Sequence, residues 1–122
     1  MTNSNNTGTC QSNYVLAIND TLNVLSGKWK LPIIAAMSEN RNRFNDIRRA
    51  VPKLTPGMLS KELRDLEMNG IIERQVHDGQ PMTIVYELTA SAKLLSGVID
   101  KMIEWGLQHR DAAFRIETSI QP

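Results

Sequence analysis

Apolar residues recur with a helical period along most of this chain. Val15, Ile18, Leu22 and Leu25 stand at i, i+3, i+7 and i+10, the stripe of an amphipathic helix, and Gly27 ends it. A second helix is expected from Lys28 or Trp29, with Ile33, Ala36 and Met37 on one side. Pro32 fits only in its first turn, where a missing N–H costs nothing. Phe44, Ile47 and Val51 predict a short third helix stopped by Pro52, and Arg41-Asn42-Arg43 before it a short strand. The clearest start signal follows: Thr55 as N-cap, Pro56 at the first helical position, then Leu59, Leu63 and Leu66 at i, i+4 and i+7. Asn69-Gly70 closes that helix with a residue able to take positive φ. Ile71 to His77 and Thr83 to Leu88 are rich in β-branched residues and enclose Asp78-Gly79-Gln80-Pro81, which predicts a β-hairpin. Thr89 then caps a long last helix, roughly Ala90 to Arg110.

The predicted fold is therefore mainly α with a small β-hairpin wing. Helix, helix, short helix, helix, hairpin, helix is the order of a winged helix–turn–helix. Residues 1–13 are mostly Asn, Ser and Thr, with one Gly and no apolar anchor, and are expected to form a flexible tail. Residues 14–112 would be the winged domain, for DNA binding and dimerisation, and residues 113–122 a frayed C-terminal tail.

Composition narrows the class. The 122 residues make one domain, and 41% hydrophobic with 22% charged residues excludes a disordered chain. No apolar run is long enough to span a membrane. The single cysteine, Cys10, allows neither an intrachain disulfide nor a cysteine metal cluster, so a cytoplasmic location is expected. Net charge is only +1, but it is unevenly spread. Lys28 to Arg64 holds nine bases against three acids, whereas Asp78 to Pro122 holds four bases against six acids. One basic face toward a polyanion suits that asymmetry.

On a helical wheel Leu59, Leu63 and Leu66 share one face of the fourth helix. The opposite face carries Gly57, Lys61 and Arg64, flanked by Ser60, Met58 and Asp65. A major groove suits such a face: a small residue and N–H groups near phosphate, with cations able to reach guanine O6 and N7. Arg48 and Arg49 precede it on the helix that crosses the phosphate backbone in such folds, with Arg41, Arg43 and Lys53 nearby. The candidate DNA-binding set is thus Arg43, Arg48, Arg49, Lys53, Thr55, Gly57, Met58, Ser60, Lys61 and Arg64. The plainer reading of these charges is a solvated face, with Lys61 paired to Asp65 and the arginines to Asp46 or Glu39. No catalytic set is visible. His77 and His109 have no ligand-spaced neighbour, and neither a phosphate-binding Gly loop nor a G-x-S-x-G elbow occurs. No metal and no cofactor is expected.

The last helix carries Leu94, Leu95, Val98, Ile99, Met102, Ile103 and Trp105, too many for one core-facing stripe. Two rows are implied, one for the domain's own core and one for a second copy. Val98, Ile99, Met102 and Trp105, with Val15 and Leu22 of the first helix, are the expected dimer seam.

Ser26-Gly27-Lys28-Trp29-Lys30-Leu31, Arg43 to Arg49, Leu54 to Glu67, Asn69 to Arg74, Val85 to Thr89 and Glu104-Trp105-Gly106 resemble, in order and spacing, the HxlR-type family of bacterial winged helix–turn–helix regulators, a MarR-like group. The resemblance implies a homodimeric transcription factor, with dimer contacts from the first and last helices. Its partner would be a pseudo-palindromic DNA operator, and its signal an effector of unspecified chemistry. The alternative is a winged-helix module for protein–protein contact, which the cations Lys61 and Arg64 disfavour. Two departures stand out. Family members that sense oxidants or electrophiles often carry a Cys-Pro-Val start where this chain has Leu16, and Cys10 lies six residues earlier. Many relatives place Arg or Lys where Thr83 stands, so this wing, with Asp78 at its tip, is expected to grip DNA weakly.

Overall fold

Gly27, at φ +96°, ends the first helix by turning the chain in a direction that L side chains resist. The computed structural model describes residues 6–120, and the side chains of residues 13–112 among them. The elements are α1 (Asn6–Leu25), α2 (Lys30–Ser38), α3 (Phe44–Ala50), α4 (Pro56–Met68), β1 (Ile72–His77), β2 (Thr83–Leu88), α5 (Ala90–Lys93) and α6 (Leu95–Ile120). The order is that of a winged helix–turn–helix.

Local chemistry accounts for most boundaries. Pro32 occupies the first turn of α2. That helix ends on Asn40 at φ 65°, with the N–H groups of Asn40 and Arg41 donating to the Met37 and Ala36 carbonyls at 3.1 Å each. Asn tolerates this left-handed position better than most residues. In α4 the Thr55 hydroxyl accepts from the Met58 N–H at 3.2 Å, with Pro56 at the helix start. At its other end Gly70, at φ 74°, donates to Glu67 and Ile71 donates to Leu66, so two otherwise orphaned carbonyls are satisfied.

β1 and β2 pair antiparallel, from Ile72 opposite Leu88 to His77 opposite Thr83. The short strand expected over Arg41-Asn42-Arg43 does not form. Its trace is one ladder-like bond, the Tyr86 N–H to the Asn42 carbonyl at 2.8 Å. Only one such bond forms because Arg43 is already the N-cap of α3.

Three more boundaries differ from the pattern. α1 starts at Asn6, within the segment expected to be a tail, and α6 runs on to Ile120. A helix nucleated on its apolar stripe propagates into polar flanks, since each added residue avoids the cost of nucleation. Residues 1–5 and 121–122 of the two expected tails lie outside the described residues, as does the Cys10 side chain. The last helix is also two helices: the Leu94 N–H bonds to the Ser91 carbonyl three residues back, a tight turn separating α5 from α6.

The core is one cluster. Ile33 and Ile34 of α2, Ile47 of α3, Leu59 and Leu66 of α4 and Ile72 of β1 are fully buried. Removal of each from water contributes about 1.5–3 kcal/mol. Among the described residues no helix is long and apolar enough to cross a membrane.

Candidate nucleic-acid interface

The leucine stripe Leu59, Leu63 and Leu66 turns one face of α4 into the core. Its geometry then dictates what the other face shows. Gly57, Ser60, Lys61 and Arg64 are all exposed. Nothing lies within 4 Å of where a Cβ on Gly57 would sit, so the start of α4 presents open backbone. Thr55, the N-cap, is exposed beside it. Met58 departs from expectation: it is half-buried and packs against the core, because its place on the wheel borders the leucine face.

The preceding turn and helix add cations. Arg43, Arg48, Arg49 and Lys53 are exposed. Arg49 is bonded to Asp46 at 2.5 Å, one turn away on α3, so part of the plainer reading holds. Arg48 has no acid within ion-pair distance among the described residues, and the same is true of Lys53, Lys61 and Arg64. Lys53 sits in the turn between α3 and α4 at φ 69°, a left-handed position that would favour glycine.

The expected Lys61–Asp65 pair does not form. Asp65 instead faces Lys30 of α2, whose Nζ lies 3.6 Å from Asp65 Oδ2 and 2.6 Å from Glu62 Oε1. The Glu62 hydrogen bond holds the Lys30 amine above the usual lysine range, against partial burial and with help from both carboxylate charges. Lys30 therefore belongs to the inside of the domain. It clamps the inner flank of α4 to α2 and takes both acids away from the outward cations. Sequence order could not reveal this contact, because Lys30 and Glu62 are far apart in the chain.

The expected dimer residues divide. Val98, Met102 and Trp105 are 54%, 48% and 64% exposed, and Val15 and Leu22 are similarly open on α1. Trp105 stacks on His109, one turn on, with ring centroids 4.7 Å apart. Ile99 is a correction: it is only 5% exposed and sits in the protomer's own core. Of the two apolar rows of α6, Ile99 lies on the inward one, against α2.

Among the described residues no group of three or more His, Cys, Asp or Glu side chains could hold a metal ion.

Comparison with known proteins gives the family and the fold. The family model for HxlR-like helix-turn-helix proteins matches residues 24–114. The chain is 40% identical over 91 residues to YybR of Bacillus subtilis, named as an uncharacterized HTH-type transcriptional regulator, covering 75% of this chain and 73% of that one. It is 34% identical over 96 residues to YtcD of the same organism, likewise named, covering 79% and 76%. Among solved structures, the redox regulator HypR in its reduced form superposes with a TM-score of 0.74 at 36% identity, covering 81% of this chain and 98% of that one.

Proposed function

The chain belongs to the HxlR-like helix-turn-helix family of transcriptional regulators; from that premise we propose that it is a homodimer that binds double-stranded DNA sequence-specifically and has no catalysis of its own. One observation carries the reading. The outward face of α4 presents Ser60, Lys61 and Arg64 without acid partners among the described residues, while Glu62 and Asp65 of that helix are paired to Lys30. α4 is then the helix that enters the major groove, with Thr55 and Gly57 at its start near a phosphate. Arg43, Arg48, Arg49 and Lys53 neutralise the flanking backbone, which sets register without reading bases.

Dimerisation is supported by the open apolar row of α6, Val98, Met102 and Trp105, with Val15 and Leu22 of α1. Exposed rows of large apolar residues of this kind mark interaction surfaces. Two copies would present two α4 helices to half-sites about one helical turn, roughly 34 Å, apart on a pseudo-palindromic operator. The protein would act in the cytoplasm, by occupying that operator.

The test is affinity for the chain's own upstream region against a scrambled duplex, measured over a salt series. Preference for the upstream region, with affinity falling steeply as salt rises, is expected. Absent or salt-independent binding would favour the protein-contact module instead.

A further inference from the structure

Residues of α4 and of the β1–β2 hairpin enclose a cleft of about 290 Å³, lined by Ser60, Leu63, Arg64, Glu67, Arg74 and Tyr86. Arg64 comes from α4 and Arg74 from β1, where it stands opposite Tyr86 in the ladder. Both arginines are exposed. Neither has an acid within ion-pair distance among the described residues, Glu67 included. Two arginines and one carboxylate, Glu67, thus line the cleft, and among the described residues neither arginine is ion-paired. An exposed, unpaired guanidinium such as that of Arg74 can take an oxyanion, which the planar N–H fork of arginine is shaped to hold.

Two further facts identify the oxyanion. Ser60 and Arg64 belong both to the cleft and to the outward face of α4, so the cleft continues that face sideways. Arg74 is also the only Lys or Arg between Ile72 and Leu88, and thus the only such cation of the whole wing. Asp78 and Thr83 near the tip offer no cation, so a charged wing contact with a polyanion falls on the stem.

We propose that Arg74 binds a phosphodiester of the DNA backbone, beside the base pairs that α4 faces. This rests on the DNA-binding reading above. The wing then contributes affinity through its stem rather than its tip, and leaves sequence choice to α4.

The test compares wild type, Arg74→Ala and Arg74→Lys on a mixed-sequence duplex and on the chain's own upstream region, between about 50 and 200 mM salt. Arg74→Ala should weaken both duplexes by the same factor, about tenfold, and make the log affinity–log salt slope shallower by about 0.9. Arg74→Lys should restore most of the slope, since a point charge still meets a phosphate. Melting temperature should not fall in either variant, because the side chain is exposed and unpaired. Arg74→Gln carries the same readout should the alanine variant misfold. A slope unchanged in Arg74→Ala, with wild type binding steeply, overturns the inference and leaves the DNA reading intact. A loss confined to the upstream region also overturns it, since that marks a base contact. Wild type that binds neither duplex overturns both.

Discussion

Replacing Lys30 by methionine removes the cation that joins α2 to α4 while keeping an apolar stem of similar length. The Nζ of Lys30 lies 2.6 Å from Glu62, and the two side chains are only 13% and 14% exposed. A hydrogen bond between ionised groups contributes about 1.5–3 kcal/mol. Breaking a fully buried pair would cost about 3–5 kcal/mol, but water still reaches this one, which keeps the cost nearer the lower figure. Asp65, more open, adds less than about 1 kcal/mol. We therefore expect Lys30→Met to lose about 2–3 kcal/mol, or about 10 °C in melting temperature for a domain of this size. The double variant Lys30→Met with Glu62→Gln should lose less than the sum of the two single changes, because the stranded carboxylate is gone.

The clamp also has a pH signature. The Lys30 amine is held above its ordinary value, chiefly by the Glu62 hydrogen bond, so the folded protein binds that proton more tightly than the unfolded chain does. Its contribution is complete below the ordinary lysine value of about 10.4 and is lost as pH rises through the raised one. Denaturant unfolding followed by the fluorescence of half-buried Trp29, next to Lys30, measures both effects. A stability loss below about 0.5 kcal/mol, the range of unremarkable surface changes, would refute this account of the clamp. So would a difference from wild type that persists undiminished into the strongly alkaline range.

Lys53→Gly should leave stability unchanged or raise it by up to about 1 kcal/mol, since glycine relieves the left-handed backbone at φ 69° but loosens the unfolded chain. The same variant should bind DNA more weakly with a shallower salt slope; a stability loss with unaltered DNA affinity would show that this turn is not kept for its charge. Met102→Asp should give a folded monomer, because Met102 is 48% exposed on the protomer and its own core does not depend on it. Sedimentation of the variant together with its melting curve checks this, and a wild type that is already monomeric at micromolar concentration would refute the seam.

Helix order and the position of the wing were legible because local signals set them. Thr55-Pro56 opens α4 by side-chain capping and a fixed φ, and Asn69-Gly70 closes it with the left-handed turn found there. What depended on the third dimension was not legible. Ile99 and Met102 are one turn apart on α6 and equally apolar, and only the position of α2 decides that Ile99 turns inward. Lys30 counted as one more base in a basic segment until α2 and α4 came together and paired it with Glu62. Met58 looked free on the wheel, yet a residue bordering a buried stripe is half covered once its neighbours pack. Arg74 gave no signal in the strand pattern, because its meaning lies in the cleft it shares with Arg64.

The central claim is that α4 reads bases while α3 holds the backbone. It is tested most directly by measuring wild type, Arg64→Ala and Arg48→Ala on the chain's own upstream region and on a scrambled duplex at several salt concentrations. Arg64→Ala should cost about 1–3 kcal/mol on the upstream region and much less on the scrambled one, narrowing the preference between them. Arg48→Ala should weaken both alike and lower the salt slope by about one. Equal losses on both duplexes for Arg64→Ala would contradict the assignment of α4 as the reading helix.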